Sequence, residues 1–155
     1  MLNVIAGTDL VHVPFKGGAP SLAATIAGEV PVIIATPPVG LPMIRAGRLR
    51  ALSLTTSKNS PIIPGIPGTA EAGLPGFDIG GWWGLWVPAR TPGPVVKKLF
   101  DASIAVLQTA HIKERLAREG LEVATSASPQ EFAAFIHKEI PFWAKIVKES
   151  GATAD

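Results

Sequence analysis

Leu10-Val11-His12-Val13-Pro14-Phe15-Lys16-Gly17-Gly18-Ala19-Pro20 is the stretch on which the reading of the chain turns. Leu10 to Pro14 has the short apolar run of a strand. Gly17 and Gly18 then permit a tight turn, and a helix follows from Ser21 to about Ala27, with Pro20 near its first turn and Gly28 closing it. Glycine before a helix lets a ligand approach the backbone, and the amides of the first helical turn carry partial positive charge that suits an anion such as a carboxylate. Lys16 adds a charge at the same turn, where it serves equally well as a solvated surface lysine.

Working outward, Val30 to Ala35 is a continuous apolar run that predicts a buried parallel strand, stopped by Thr36-Pro37-Pro38. Val39 to Ala46 makes a short helix ending at Gly47, and Leu49 to Thr55 reads as the next strand. Strand, helix and strand in that order predict an α/β crossover unit. Ligands of open parallel sheets lie beyond the carboxyl ends of the strands, which puts the Thr36 hydroxyl at a candidate position.

Ser57 to Asp78 is rich in Pro and Gly and reads as a surface excursion with one small helix, Thr69 to Ala72, capped by Thr69. Gly80 to Pro88, with Trp82, Trp83 and Trp86, reads as a strand at the boundary between two lobes. One face of it is expected to line a cleft and the other to pack in a core. Thr91 is expected to cap a helix whose buried stripe is Val96, Leu99, Phe100, Val106 and Leu107. A short helix from His111 to Arg118 ends at Gly120, and Leu121 to Ala124 is a small strand. Ser128-Pro129-Gln130-Glu131 is a capping box opening a last helix, with Phe132, Phe135, Ile136, Trp143, Ile146 and Val147 as its buried stripe and Pro141 expected to kink it.

Composition narrows the function. Of 155 residues, 47% are hydrophobic and 17% charged, as in a folded domain, and the net charge of +2 is spread too thinly to grip nucleic acid. There is no cysteine, which removes disulfides and thiolate chemistry. No run reaches the 18 or so apolar residues of a membrane-spanning helix. Met1 to Gly7 lacks the features of a secretory signal and looks like the tail of an amphipathic helix, so truncation is the expectation. His12, His111 and His137 fall on different elements without metal-ligand spacing, and no metal, cofactor or catalytic residue is expected. The carboxylates form no acid and base pair, and no Gly-x-Ser-x-Gly elbow or nucleotide-binding loop is present. A hydrolase would have to rest on Ser21 or His12.

The opening stretch resembles the motif that begins the second lobe in the Bug family, the TctC-like extracytoplasmic solute-binding receptors of tripartite tricarboxylate transporters. Further matches follow in the family's order: Ala46-Gly47-Arg48-Leu49-Arg50-Ala51-Leu52, Glu71-Ala72-Gly73-Leu74-Pro75-Gly76, Trp82-Trp83-Gly84-Leu85-Trp86-Val87-Pro88-Ala89-Arg90-Thr91-Pro92, and the late helix with Glu131-Phe132, Glu139 and Trp143. The resemblance is to the C-terminal half of the family. It implies an α/β, type II periplasmic-binding-protein-like fold, in which residues 1 to 81 form the second lobe and residues 82 to 155 complete the first.

It also implies a periplasmic receptor that captures a small carboxylate (a dicarboxylate, a tricarboxylate or an aromatic acid) without a cofactor and delivers it to membrane transporter subunits. A ligand-dependent signalling role, read by a membrane sensor, is the alternative. By position, Phe15, Gly17, Gly18, Ala19 and Thr36 are the candidates for the cleft, with Lys16 from the turn itself and Trp82 at the crossing between lobes. Many relatives have tyrosine where Phe15 stands, an acidic residue where Ala35 stands, and an uninterrupted helix at Pro141. Without the acidic residue, the ammonium of an amino acid would have no partner. Half-length also predicts exposed apolar surface, and hence either a homodimer or a fragment of a longer chain.

Overall fold

The computed structural model describes residues 1–151. Six helices are present among them: α1 (Leu2–Ala6), α2 (Gly18–Ala27), α3 (Pro37–Arg45), α4 (Gly93–Leu107), α5 (Ala110–Arg118) and α6 (Pro129–Ser150). The chain divides into two compact units. One comprises Leu2–Trp82 with Glu114–Glu122; the other comprises Met1, Trp83–Lys113 and the chain from Val123 onward.

In the first unit, α2 begins at Gly18, three residues before the expected Ser21. Gly17 at its N-cap has φ 109° and ψ 177°, a conformation open to glycine, so the turn feeds directly into the helix. Gly28 ends α2 in the left-handed region, its N–H reaching the carbonyls of Ala24 and Thr25. α3 likewise begins earlier than expected, because Pro37 and Pro38 occupy its first two positions, where a missing N–H costs nothing.

None of the expected strands at 10–14, 30–35, 49–55, 80–88 or 121–124 forms a hydrogen-bonded ladder among the described residues. Val32 and Ile34 are exposed rather than buried. Pro14, Pro31 and Pro88 each remove a donor that a ladder would use. Residues 53–57 pair instead with the loop that follows. The amide of Leu54 donates to the Pro67 carbonyl at 2.8 Å, the amide of Ile79 to the Thr55 carbonyl at 2.8 Å, and the amide of Ser57 to Asp78 Oδ1 at 2.9 Å.

The Pro- and Gly-rich excursion is largely exposed, as expected, but it also sends side chains inward. Ile63, Thr69 and Phe77 are among the most buried side chains of the chain, with Leu41 and Ala24. Thr69 caps no helix. Residues 69–73 form turns only, and the Thr69 hydroxyl donates to the Phe77 carbonyl while its amide donates to Thr56 at 2.9 Å. Pro and Gly permit the sharp reversals, and burial of Thr69 is tolerated because its polar atoms are satisfied internally.

Gly120 closes α5 at φ +77° and draws its end against α3. A Cβ there would stand 2.5 Å from Leu41 Cδ1, 2.9 Å from Pro37 Cβ and 3.1 Å from Ile63 Cδ1. Close approach and backbone sign both demand glycine at this point.

In the second unit α4 packs on α6. Pro92, not Thr91, is the N-cap of α4 and makes no side-chain cap bond. The less exposed face of α4 carries Val96, Phe100, Ile104 and Leu107, whereas Leu99 and Val106 from the expected stripe are exposed. On α6 the half-buried positions are Phe132, Ile136, Glu139, Trp143 and Ile146, a strict three-and-four spacing, with Phe135 and Val147 turned outward. Glu139 belongs to this stripe because its carboxylate accepts from Trp143 Nε1 at 2.9 Å. The capping box forms as read: Ser128 Oγ accepts from the Glu131 amide at 3.1 Å, and the Glu131 carboxylate accepts from the amide of Ala127. α6 continues through Pro141. Phe132 lies tilted against Trp86, with ring centroids 5.4 Å apart and an interplanar angle of 52°, beside Gly84, where a Cβ would stand 2.6 Å from the Phe132 ring.

Two glycine replacements separate backbone strain from crowding. Gly47→Ala, at φ +67° with open space around it, should lose about 1–2 kcal/mol of stability in urea unfolding. Gly120→Ala should lose about 2–5 kcal/mol, because overpacking adds to the same strain.

Candidate functional site

The starts of α2 and α3 face one open cavity of about 370 Å³, lined by His12, Val13, Phe15, Gly17, Gly18, Ser21, Ile33, Ile34, Ala35, Thr36 and Val39. All of these residues belong to the first unit. The two helices pack on each other, and Gly18 lies close enough to α3 that a Cβ there would meet Val39 Cγ2 at 3.5 Å.

The two helix starts differ in what they offer. Gly18 and Ala19 occupy the first two positions of α2, so their amides have no acceptor within the helix, while Pro20 at the third position has no N–H to offer. Gly17 has no side chain with which to cap the helix, and its own amide is used in a tight bond to the Phe15 carbonyl at 2.8 Å. The α2 start is thus left open. At α3 the amides that would be free are deleted by Pro37 and Pro38, and those of Val39 and Gly40 reach the Thr36 carbonyl at 3.0 and 3.1 Å. α3 contributes its dipole and the Thr36 hydroxyl, which makes no cap bond, but no free amide.

No carboxylate, lysine or arginine lines the cavity, and His12 is its one ionisable group. The remaining wall is largely apolar, from Val13, Phe15, Ile33, Ile34 and Val39. Such a space favours an anion with apolar carbon and disfavours a cation, which would find no counter-charge. Among the described residues no group of three or more His, Asp or Glu could hold a metal ion.

Of the residues singled out in the sequence, Phe15, Gly17, Gly18 and Thr36 are brought together on this wall, while Lys16, Ala19 and Trp82 are not part of the lining. Lys16 and Ala19 flank the glycines in the chain but their side chains are exposed. Ser21, Ile33, Ala35 and Val39 were not legible as a set. Ser21 lies one helical turn beyond Gly17, and Ile33 and Ala35 share alternation, so each has a local signal; only the packing of α2 on α3 joins them.

The sequence profile of the tripartite tricarboxylate transporter family receptor, TctC, matches residues 1–152. The chain is 35% identical over 148 residues to the UPF0065 protein in the clcB-clcD intergenic region of Pseudomonas knackmussii, covering 95% of this chain and 87% of that protein. It is 32% identical to Protein BugT of Bordetella pertussis, covering 98% of this chain and 46% of BugT.

Among solved structures, R. palustris Rpa4515 with adipate superposes with a TM-score of 0.89 at 32% identity, over 97% of this chain and 50% of that one. MatC (Rpa3494) from Rhodopseudomonas palustris with bound malate gives 0.84 at 34% identity, over 94% and 50%. The fold is that of half a periplasmic solute-binding receptor, and the chain spans about half the length of BugT and of these receptors.

Gly17 sets the open start of α2, so its replacement is informative. Its φ and ψ fall where a Cβ is strained, and Gly17→Ala should destabilise the chain by about 1–3 kcal/mol. Gly18→Ala, with ordinary contact to Val39 and no left-handed φ, should leave the urea midpoint unchanged or slightly raised.

Proposed function

We propose, from the premise that this chain belongs to the tripartite tricarboxylate transporter receptor family, TctC, that it captures a small carboxylate at the α2 start for uptake through membrane transporter subunits. The observation that carries the reading is the unclaimed amide of Gly18 on a cavity wall free of acidic side chains, with the unclaimed amide of Ala19 next to it in the same helical turn but outside the lining. A carboxylate supplies the acceptors those donors lack, and the dipoles of α2 and α3 both favour negative charge there. Capture needs no reacting group, and the wall supplies no paired acid and base.

On this reading residues 1 to 81 act as the second lobe of a two-lobed receptor and residues 82 to 155 complete the first, with the protein working in the periplasm. The neighbours named with adipate and malate support a carboxylate ligand. Phe15 presents a ring without a hydroxyl, so it contributes apolar surface. Ala35, on the wall, offers nothing to an ammonium. Amino acids are therefore excluded from the expected ligands, and carboxylates with an unsubstituted carbon chain are favoured.

Thermal unfolding with a panel of small carboxylates, their neutral amides and the matching amino acids tests this. At about a hundredfold excess over Kd, a bound carboxylate should raise the melting temperature by roughly 5–10 °C. Amides and amino acids should give no shift. A panel in which no carboxylate shifts the transition, or in which amides do so equally, overturns the proposal.

A further inference from the structure

The second unit has no buried core of its own. The buried apolar side chains among the described residues, Ala24, Leu41, Ile63 and Phe77, all belong to the first unit, and neither α4 nor α6 buries a residue. Helices and strands with apolar faces are stable only when something covers those faces. The gap is greatest at Trp83–Val87, an extended segment that no backbone ladder joins among the described residues. Trp83 and Leu85 fall on one face of such a strand and Trp86 on the other, and they are 68%, 66% and 63% exposed. A strand apolar on both faces has the pattern of a sheet interior. No charged residue lies between Asp78 and Arg90, so the segment carries none of the charges that keep free strand edges apart.

We infer that Trp83–Val87 is an interface whose occupant is the same segment of a second copy of this chain, paired antiparallel about a two-fold axis at Leu85. The order Trp-Gly-Leu-Trp-Val is complementary to itself in that register. Trp83 meets Val87 of the second copy, and Leu85 meets its own equivalent. On the face that Phe132 already borders, Gly84 meets Trp86 of the second copy. An aromatic ring opposite a strand glycine, flanked by large apolar pairs, is a pairing that stabilises antiparallel strands. Beside the strand, α4 and α6 expose further apolar side chains, among them Leu99, Val106, Ile140 and Phe142. Eleven large apolar side chains of the unit are exposed in all. At roughly 100 Å² each they leave about 1,000 Å² per copy, so two copies together hide about 2,000 Å², beyond the ~1,600 Å² of a standard stable interface. Ligand capture is not involved, because its cavity belongs to the first unit.

Light scattering of the chain at about 100 µM should read twice its mass of 16.1 kDa, and the urea midpoint should rise with protein concentration. The chain has no cysteine, so Leu85→Cys places a single thiol at the two-fold axis. Paired Cα atoms there, about 4.5–5.5 Å apart, are within disulfide reach. Mild oxidation should convert most of Leu85→Cys to a covalent dimer, while Lys98→Cys, at an exposed polar position of α4, stays largely uncross-linked. Leu85→Lys sets like charges against each other at the axis and should give the single mass with unchanged helix content by circular dichroism. If Leu85→Lys fails to fold, the comparison of the two cysteine variants decides. A particle of 16.1 kDa at about 100 µM overturns the pairing and assigns the face to another chain or segment. A dimer in which Leu85→Cys cross-links no faster than Lys98→Cys overturns the assignment to Trp83–Val87.

Discussion

Backbone amides at the start of a helix have no partner within it, and at α2 the sequence supplies none from outside. Gly17 has no side chain to cap with, Pro20 removes one donor, and Gly18 and Ala19 keep theirs unclaimed. An unsatisfied amide is tolerable where water or a ligand can reach it, so this helix start has to remain open to a cavity. The same constraint explains the contrast with α3, whose two leading prolines delete the corresponding donors and whose next two amides turn back to Thr36. One helix start keeps free donors and its neighbour is self-contained, although both lend their dipoles to the same space.

Around that opening the first unit is held by close backbone approach more than by a large apolar core. Few side chains are buried among the described residues, and three of them, Ile63, Thr69 and Phe77, come from the segment richest in turn-forming residues. Hydrogen bonds from residues 54–57 to Pro67, Ile79 and Asp78 fold that segment inward, and Gly120 lets the end of α5 reach Leu41, Pro37 and Ile63. The rigidity this gives α3 fixes Thr36 and Val39 against α2. In the second unit the same device recurs at Gly84, where the absence of a side chain admits the Phe132 ring beside Trp86.

Local signals suffice to mark helix ends. Gly28, Gly47 and Gly120 mark helix ends because each adopts a left-handed conformation that glycine alone takes up cheaply. Ser128 and Glu131 close a reciprocal cap that needs only neighbouring residues. Errors came where the deciding partner is distant. An apolar run such as Val30 to Ala35 has the composition of a strand, but a strand exists only when a second backbone offers its donors and acceptors, and none does so among the described residues. On α4, Leu99 and Val106 are as apolar as Leu107, yet only packing against α6 settles which face is covered.

The sequence by itself determined the family, through motifs spaced along nearly the whole chain, and determined that Gly17 opens a helix start. Local backbone preferences and the order of short motifs carry both facts. The resemblance already grouped Phe15, Gly17, Gly18 and Thr36; tertiary structure decided that His12 and Ser21 share their cavity, while Lys16, Ala19 and Trp82 do not line it. It also decided that Ile63, Thr69 and Phe77 of a Pro- and Gly-rich excursion turn inward. Contacts between residues distant in sequence depend on how α2, α3 and the loop after Thr55 pack, and no spacing within any one of those segments encodes that packing.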